Sequence, residues 1–416
     1  MAVIDSSEKP TCLNALQKDY PEVIVKTGGI PADWLMRADS IVLSPGVDPR
    51  LPQIRQAAEA GIEIIGDIEL FARHANAPII AITGSNGKST VTTLVGLMAQ
   101  MADKKVAVGG NLGTPALDLL TDPAPDFYVL ELSSFQMETV HSMNAFASVI
   151  LNVSPDHLDR YDSIEEYQRA KQKVYYGTGA MVINRDDPIV SAMAVAGRDQ
   201  LGFSLHESTG YEFGVLTQRG HLWLAEGDAP LMLVSDMKIA GSHNIANALA
   251  ALALGSVMGL PVDAMLKALK EFKGLPHRCR FVRELHGVRW FNDSKATNVG
   301  ASIAAIEGLA ENGKIVLIAG GVGKGQNFAP LSPILKDYVS TIVLIGQSAE
   351  EIARHVPDTV QIHFAADMKA AVQAANISAQ TGQQVLLSPA CASFDQFANY
   401  ADRGDHFEQA VRELAA

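Results

Sequence analysis

Apolar and polar positions alternate along the chain with two different periods, and this alternation predicts its strands and helices. Continuous apolar runs at residues 78–82 and 127–132 are typical of strands that are buried on both faces of a parallel sheet. A helical pattern follows the first run, with one apolar face made of Val91, Leu94, Val95, Met98 and Met101. Strands that alternate with amphipathic helices indicate an α/β fold.

The same pattern divides the chain into three α/β segments. Residues 1–66 contain one helical stretch at 51–60 and strand signals at 3–4, 23–25, 40–43 and 63–65. Residues 67–273 add strands at 78–82, 127–132, 147–153 and 181–184, and then short alternating stretches over 201–239, including 211–213 and 221–224, that are typical of antiparallel hairpins. Residues 274–416 contain helical stretches at 348–355, 368–380 and 406–414 and strands at 314–318, 341–345, 360–364 and 384–387. We therefore predict three domains with these boundaries, of which the first and the last are Rossmann-like.

Composition and charge narrow the class of protein. The chain has 416 residues, 48% of them hydrophobic, which is enough for more than one large core. Its formal net charge of −13 argues against a nucleic-acid partner, which would require basic patches. The longest apolar tract, residues 245–260, is interrupted by Asn247, Gly255 and Ser256, so we expect a buried helix there and no membrane span.

The N-terminus and the cysteines bear on the cellular compartment. The first residues lack the charged and apolar regions of a secretory leader, so none is expected. Cys12, Cys279 and Cys391 have no metal-like spacing and cannot all pair with one another, which favours a reducing cytoplasm. Cys391 lies in a polar loop, and we interpret it as a small buried thiol.

A glycine-rich loop joins the strand at 78–82 to the following helix and predicts nucleotide binding. The glycines allow backbone N–H groups to turn toward an anion at the helix N-terminus. Lys88 is expected to reach the β- and γ-phosphates, and the Ser89 hydroxyl to bind Mg²⁺. The ordinary pattern has a glycine where this chain has Ile82, so the loop is a shortened form. Its residues are Gly84, Ser85, Asn86, Gly87, Lys88, Ser89 and Thr90.

Other strands also end in polar groups. Glu131 ends a buried strand, where a carboxylate requires a charged partner or a metal ion. His157, in the loop after the next strand, is either a metal ligand or a solvated side chain. In the first segment, five residues follow the ends of strands: Asp5, Ser6, Ser44, Pro45 and Gly46. They either line a ligand-binding edge of the sheet or are ordinary turn-forming residues.

Polar loops in the last segment suggest a second substrate site that faces the nucleotide. Arg278 would hold a nucleotide phosphate or pair with an exposed acid. Residues 292–298 place an acid, an amine and hydroxyls in one turn, which is more than a helix cap requires. The glycine-rich turn at 320–325, which contains Lys324, is either a ligand loop or a flexible turn, and residues 388–397 would line the same cleft.

Taken together, these motifs resemble the Mur ligase family, and within it the members that add D-glutamate. The likeness runs from about residue 41 to the C-terminus and is carried by residues 84–90, 131–136, 152–161, 243–244, 277–278, 292–298 and 388–397. The stretches Asn-Asp-Ser-Lys-Ala-Thr-Asn and Ser-Pro-Ala-Cys-Ala-Ser resemble those members and not the members that add diaminopimelate, alanine or a dipeptide. The resemblance implies that the central domain is P-loop ATPase-like.

The resemblance also implies a reaction. ATP phosphorylates the carboxylate of UDP-N-acetylmuramoyl-L-alanine, and the amine of D-glutamate attacks the acyl phosphate to give an amide and phosphate. This step belongs to peptidoglycan synthesis in the cytoplasm, for cell wall biogenesis, cell shape and cell division. The expected partners are therefore small molecules, with no nucleic acid and no membrane, and the expected state is a monomer. Domain closure would exclude water from the acyl phosphate.

Residue roles are implied by the same likeness. Mg²⁺ is implied at two sites, one on Ser89 and Glu131 and the other on His157 and Lys171. Lys171 is carbamylated in relatives, and a carbamate is expected here because a cationic lysine has no lone pair for a metal ion. The implied catalytic residues are Lys88, His157 and Lys171. The implied ATP contacts outside the loop are Asn244, Asn247, Arg278 and Asp293. The implied substrate contacts are Asn111, Ser133, Lys295, Thr297, Lys324, Ser393, Phe394 and Tyr400, with the strand-end residues of the first segment.

Two features depart from the family pattern. The family's N-terminal domain opens with a strand, a glycine-rich turn and a helix that help to bind the uridine diphosphate, and here Met1 corresponds to the second strand. We therefore expect a truncated Rossmann-like domain that lacks roughly 30 residues, about one βα step, and in which Asp5 and Ser6 still contact uridine. Val322 stands where the D-glutamate-adding members have an acidic residue, so Lys324 is expected to be less well oriented.

Two other functions are compatible with parts of the pattern. The first is an ATP-binding or regulatory module of the same descent without ligase activity, which the expected truncation alone favours. The second is a folylpolyglutamate synthetase, which shares the style of the phosphate loop but has no reason to carry the Asn-Asp-Ser-Lys turn.

Overall fold

Residues 1–156, 160–207, 209–239, 241–310 and 313–415 are described by the computed structural model. The N-terminal part has strands β1 (Ala2–Asp5), β2 (Ile24–Thr27), β3 (Ser40–Leu43) and β4 (Glu63–Gly66) and helices α1 (Leu13–Asp19), α2 (Ala32–Leu35) and α3 (Pro52–Glu59). Within residues 1–66, β1 pairs in parallel with β2, and β3 pairs in parallel with β4. Ile4 packs on the same apolar cluster as Ile41 and Leu43, so the two strand pairs share one core.

The central part is built on one sheet with helices on both faces. Its strands are β5 (Ile79–Thr83), β6 (Val106–Gly110), β7 (Phe127–Glu131), β8 (Ala147–Ile150), β9 (Ala180–Asn184), β10 (Gln200–Phe203), β11 (Phe213–Gln218), β12 (His221–Glu226) and β13 (Ala229–Leu233). Its helices are α4 (Asp67–His74), α5 (Lys88–Met101), α6 (Ser134–Glu138), α7 (Ile164–Gln172), α8 (Pro188–Ala192), α9 (Ser242–Val257) and α10 (Val262–Glu271). In the described residues the strand order is β13-β12-β11-β10-β9-β8-β5-β7-β6.

The C-terminal part repeats the α/β architecture. Its strands are β14 (Arg280–Leu285), β15 (Val288–Asn292), β16 (Ile315–Gly320), β17 (Val339–Ile345), β18 (Gln361–Phe364) and β19 (Gln384–Leu387). Its helices are α11 (Val299–Leu309), α12 (Leu331–Tyr338), α13 (Ala349–Ala353), α14 (Met368–Ser378) and α15 (Tyr400–Glu413). The strand order over the described residues is β14-β15-β19-β16-β17-β18, and β14 is antiparallel to β15 whereas the other pairs are parallel. The three-part α/β fold predicted from the sequence is confirmed.

The hairpin prediction for residues 201–239 is partly wrong. β11, β12 and β13 are antiparallel as expected, but β10 pairs in parallel with β9 and extends the parallel sheet. The strand signal at 211–213 holds only from Phe213, because Tyr211 is 83% exposed and Glu212 pairs with Arg185.

Helix α15 begins earlier than the predicted stretch at 406–414. The Asn399 side chain accepts hydrogen bonds from the backbone N–H groups of Ala401 and Asp402 and starts the helix at Tyr400. The sequence pattern also missed several other elements, among them α1, α2, α4, β6, α10 and β14.

The central apolar tract is a buried helix, as predicted. Residues 248–254 of α9 are fully buried and pack with α5 and α10 on one face of the central sheet. Within the described ranges, the model contains no helix that combines the length and apolarity needed to cross a bilayer.

The sheet topology decides where the polar loops meet. β5 lies between β7 and β8, and all three strands are parallel. Their carboxyl ends therefore emerge at one edge, where open α/β sheets bind ligands. The loop after β5, Glu131 at the end of β7 and Asn152 after β8 are brought together there.

Candidate active site

The glycine-rich loop is held by hydrogen bonds and close packing from neighbouring elements of the central part. The Asn152 side chain accepts from the backbone N–H of Asn86 at 2.8 Å and donates to the backbone oxygen of Asn86 at 3.2 Å. Gly87 has φ +84°, and a Cβ at this position would lie 2.3 Å from the Asn247 Oδ1 atom. A glycine is therefore required by both backbone and space, and α5 begins at the next residue with its N-terminus directed into the cleft.

Two lysine side chains converge on one carbonyl oxygen of this loop. Lys88 Nζ donates to Gly84 O at 2.7 Å, and Lys171 Nζ donates to the same atom at 2.9 Å. Lys171 is 1% exposed and lies over the Tyr167 ring. Burial lowers the pKa of Lys88, and burial together with the Lys88 charge lowers the pKa of Lys171 well below its usual value. Lys171 therefore has access to its neutral, nucleophilic form.

Glu131 presents a carboxylate oxygen to the same space. The side chain is 3% exposed, and its Oε1 atom accepts from Asn111 Nδ2 at 2.6 Å. Its Oε2 atom is buried and has no hydrogen-bond partner among the described residues. A buried anionic oxygen without a partner is costly, and it fits a divalent cation held together with Ser89.

The C-terminal part reaches this loop with Arg278. The Arg278 guanidinium donates to Ser89 Oγ at 2.8 Å, and burial lowers its pKa. Asp293 follows β15 and accepts from Cys279 N and Ser388 Oγ. Burial raises the pKa of Asp293 to about 7.

A side cavity lies beyond the loop, between α9 and α11. Asn244 and Asn247 line it, and Asn247 Nδ2 donates to Asn244 Oδ1 at 3.3 Å. Its walls also include Thr90, Leu151, Phe203, His243, Asp293 and Ala305. An elongated ligand on the phosphate loop can therefore extend into a partly apolar recess with two amides.

A central cavity of about 350 Å³ lies on the other side of the loop, and its lining comes from all three parts of the chain. Pro45 comes from the N-terminal part. The central part supplies Ser85, Asn86, Gly87, Lys88, Asn111, Glu131, Ser133, Ser134, Phe135, Asp156, Tyr167 and Lys171. The C-terminal part supplies Arg278, Lys295, Thr297, Asn298, Lys324, Ala392, Ser393, Phe394, Asn399 and Tyr400. The predicted catalytic lysines and the predicted amino-acid contacts are thus brought into one cavity.

Two further cations face this cavity from the C-terminal part. Lys295 Nζ lies 3.8 Å from the centre of the Tyr400 ring, a cation–π contact. Burial and the nearby charge of Arg278 lower the pKa of Lys295 to about 8. Lys324 Nζ lies 3.7 Å from Asp156 Oδ1, so a carboxylate orients this side chain toward the cavity. The effect expected of Val322 on Lys324 stays a prediction.

The structure locates three of the four predicted metal ligands. Glu131 and Lys171 line the central cavity beside the phosphate loop, and Ser89 lies on that loop, where it contacts Arg278. His157 lies outside the described residues. The described part of the chain contains no cluster of three or more His, Cys, Asp or Glu side chains that could hold a metal ion. A cation here would thus depend on a hydroxyl, Glu131, a modified lysine and the oxygens of a phosphate ligand.

The N-terminal substrate residues are not all brought to the central cavity. Pro45 lines it, but Ser44, Gly46, Asp5 and Ser6 are not among its lining residues. The Asp5 side chain accepts from Ser7 N at 2.8 Å in its own turn. Their contact with uridine stays a prediction.

Several lining residues were missed as individual candidates. Asp156 and Asn298 lie within stretches that the motif analysis quoted, and Tyr167 lies on the helix that carries Lys171. Neither their spacing nor their type distinguished them from ordinary loop and helix residues. Phe135 and Asn399 also line the cavity. Cys391 is fully buried, which confirms the prediction of a small buried thiol.

Models of Mur ligase domains match most of the chain. The MurD-like N-terminal domain model matches residues 1–66, the Mur ligase middle domain model matches 82–255, and the Mur ligase glutamate ligase domain model matches 277–391. Together these matches cover the three parts of the fold.

Relatives and solved structures agree with the domain models. The chain is 50% identical to the UDP-N-acetylmuramoylalanine--D-glutamate ligases of Nitrosococcus oceani and Pseudomonas aeruginosa, over 100% of this chain and 91% and 93% of theirs. Its fold is similar to MurF from Acinetobacter baumannii, with a TM-score of 0.65, 17% identity, and coverage of 91% of this chain and 92% of that one. It is also similar to MurF ligase from Thermotoga maritima in complex with ADP, with a TM-score of 0.62, 16% identity, and coverage of 92% and 97%.

Proposed function

The chain belongs to the Mur ligase family, and on that premise we propose that it is an ATP-dependent ligase that joins D-glutamate to UDP-N-acetylmuramoyl-L-alanine in peptidoglycan precursor synthesis. The observation that carries the proposal is the central cavity, where the phosphate loop, a carboxylate and a set of amines from different parts of the chain face one space. Ligases that use an acyl phosphate need this combination, because phosphate, acid and amine must meet.

ATP binds with its phosphates on the loop and its base in the side cavity, near Asn244 and Asn247. The Lys88 ammonium donates to two loop carbonyl oxygens in the structure. When ATP is bound, it donates to oxygens of the γ-phosphoryl group instead and stays with this group during the transfer. Arg278 already contacts Ser89 and neutralises charge from the opposite side. The carboxylate of the UDP-linked substrate takes the phosphoryl group, and ADP leaves.

D-glutamate occupies the part of the central cavity lined by Lys295, Thr297, Lys324, Ser393 and Tyr400, with Phe394 at its exposed rim. Two lysines suit an amino acid with two carboxylates. They hold the side-chain and α-carboxylates so that the amine points at the acyl phosphate, and its attack expels phosphate and leaves an amide. Asn111 and Ser133 hold the acid substrate on the opposite wall.

Residues that fit divalent cations lie on the phosphate loop and next to it. Ser89 and the free Oε2 atom of Glu131 would hold one Mg²⁺, and a carbamate on Lys171 would contribute to a second together with His157. When bound, Mg²⁺ neutralises the charge that develops on the transferred phosphoryl group. The neutral form of Lys171 favours the carbamate, because only the free amine adds to carbon dioxide.

The reaction belongs to the cytoplasm, where ATP is supplied. We also propose that the protein acts as a monomer. No observation favours the alternative of a module without ligase activity.

Phosphate release from ATP tests this function. Release is expected in the presence of UDP-N-acetylmuramoyl-L-alanine only after addition of D-glutamate, whereas L-glutamate should give little product. A coupled phosphate assay and mass spectrometry of the amide measure the two products. Absence of release with every amino acid tried would remove the ligase proposal.

The affinity for D-glutamate is expected to fall above about pH 8. Burial holds the pKa of Lys295 at about 8, below its usual value, so this amine is charged below that pH and neutral above it. The charged form binds a carboxylate, so the dissociation constant should rise about tenfold per pH unit above 8. Calorimetry of the ADP-loaded protein with D-glutamate, and with glutarate as a dicarboxylate without an amine, measures this dependence.

Lys295→Arg is the matched control for this pH profile, because its guanidinium stays charged over the whole range. The profile of this variant should be flat for glutarate. A wild-type profile that is equally flat would contradict the assignment of Lys295 to the carboxylate site.

A further inference from the structure

Asn298 joins the C-terminal part of the chain to the phosphate loop. It is 3% exposed and is the N-cap of α11, where its Oδ1 atom accepts from Ala301 N at 2.8 Å. Its Nδ2 group donates across the cleft to Asn86 Oδ1 at 3.2 Å and to Asp156 Oδ2 at 3.1 Å. The Asn298 oxygen therefore caps its own helix, and its nitrogen donates to two side chains of the central part.

Asn86 is in turn held in place within the glycine-rich loop. Its backbone N–H and carbonyl are both held by the Asn152 side chain, and it is the third residue of the glycine-rich loop. Its side chain is thereby left to face Asn298, and its Nδ2 group lies 3.5 Å from Asn298 Oδ1. Asn298 therefore contacts the loop that is expected to hold the phosphates of the nucleotide.

A helix cap alone does not account for this arrangement. Aspartate and serine cap helices as well as asparagine does, but only asparagine also offers an N–H donor. The donor lies between an amide oxygen and a carboxylate, so an aspartate at this position would place a second carboxylate against Asp156. The first turn of α11 is also close to the loop after β8 that carries Asp156, since a Cβ on Gly300 would lie 3.2 Å from Ser154 Oγ.

We infer that Asn298 is a positioning residue that docks the C-terminal domain onto the phosphate loop. Lys295 and Thr297 lie just before it in the chain, so the docking of Asn298 places the amino-acid contacts against the acyl phosphate site. Asp156 holds Asn298 through one carboxylate oxygen and Lys324 through the other, and it therefore ties both walls of the amino-acid pocket to the central domain. The kinetic part of this inference rests on the proposed function, whereas the docking part does not.

The test uses the full chain with Asn298→Asp, Asn298→Ser, Asp156→Asn and the double variant Asp156→Asn with Asn298→Asp. Asn298→Asp keeps the cap and removes the donor, and Asn298→Ser keeps the cap without adding charge. In both, the KM for D-glutamate should rise about 10-fold while the KM for ATP changes less than about 3-fold. In small-angle scattering with a non-hydrolysable ATP analogue and Mg²⁺, both variants should be less compact than the wild type. Thermal melting should stay close to wild type.

The double variant separates docking from a simple cap. In it the donor and the acceptor exchange positions, which restores the hydrogen bond, so it should recover most of the compaction and of the D-glutamate affinity that Asn298→Asp loses. The Asp156→Asn single variant measures the effect of losing the Asp156–Lys324 contact, which the double variant also loses. Wild-type behaviour of Asn298→Asp, a double variant no better than Asn298→Asp, or a uniform loss of stability in every variant would each overturn the inference. If wild-type protein compacts but releases no phosphate with D-glutamate, the proposed function fails and the docking role is still decided by the scattering.

Discussion

Replacement of Lys171 by alanine is expected to lower D-glutamate-dependent phosphate release by about 10³-fold, the scale at which single charge-stabilising groups act in active sites. The amine is buried against the loop carbonyl of Gly84, where a permanent ammonium would face the cation of Lys88. Carbamylation converts this cation into an anion, which removes the repulsion and supplies a metal ligand. Loss of the side chain removes both effects.

Acetate should partly restore the activity of Lys171→Ala, because its carboxylate can enter the space that the side chain leaves. Initial rates over a range of acetate concentrations measure the rescue. Carbon-13 NMR of the wild type with labelled bicarbonate should show a carbamate signal that is missing in the variant.

Lys173→Ala is the matched control for Lys171→Ala. This lysine is two residues away, and its Nζ donates to the backbone oxygens of Glu138 at 2.5 Å and Val140 at 3.3 Å, outside the cavity. The rate of Lys173→Ala should be the same with and without acetate. Full activity of Lys171→Ala in the absence of acetate would contradict the carbamate proposal.

Replacement of Lys88 by methionine is expected to lower phosphate release by a similar factor, about 10³-fold, with a small change in the affinity for the amino acid. Methionine keeps much of the length of the side chain and removes its charge. In the structure Lys88 Nζ bonds to the backbone oxygens of Gly84 and Ser85, which holds it at the end of the loop where a terminal phosphoryl group arrives. Without the cation, charge on that group is neutralised mainly from the Arg278 side.

Initial rates at saturating substrates, together with ADP binding by calorimetry, measure the effect of Lys88→Met. Lys104→Met, at an exposed lysine just after α5, is the control for a general effect of lost charge on the same domain. A rate within a few-fold of wild type would show that Lys88 does not contact the transferred phosphoryl group.

Much of the active site could be predicted because its groups lie in short local motifs. The loop with Lys88 and Ser89 needs a strand before it, glycines within it and a helix after it, and all of these are local features. Glu131 could be singled out because a carboxylate at the end of a fully apolar strand is costly without a partner. The same reasoning could not single out Asp156 or Tyr167, whose significance depends on what lies opposite them.

Residues 201–239 show a second reason why prediction from the sequence fails. Residues 200–203 form a parallel strand although their local pattern favoured a hairpin, because strand direction depends on which edge is free to pair. Helix α15 begins where a single capping side chain satisfies two N–H groups, six residues before the periodic pattern alone suggested it.

The sequence by itself determined the α/β class, the phosphate loop and the resemblance that leads to the ligase, because periodicity and motif spacing are properties of neighbouring residues. Only the tertiary structure decided that Lys88 and Lys171 share one carbonyl oxygen, that Arg278 contacts Ser89, and that Asn298 bridges to Asn86 and Asp156. These contacts join residues that are far apart in the chain, and they form only when the strand ends of two sheets face one another. Burial at that junction then sets the pKa values of the lysines, which no local pattern records.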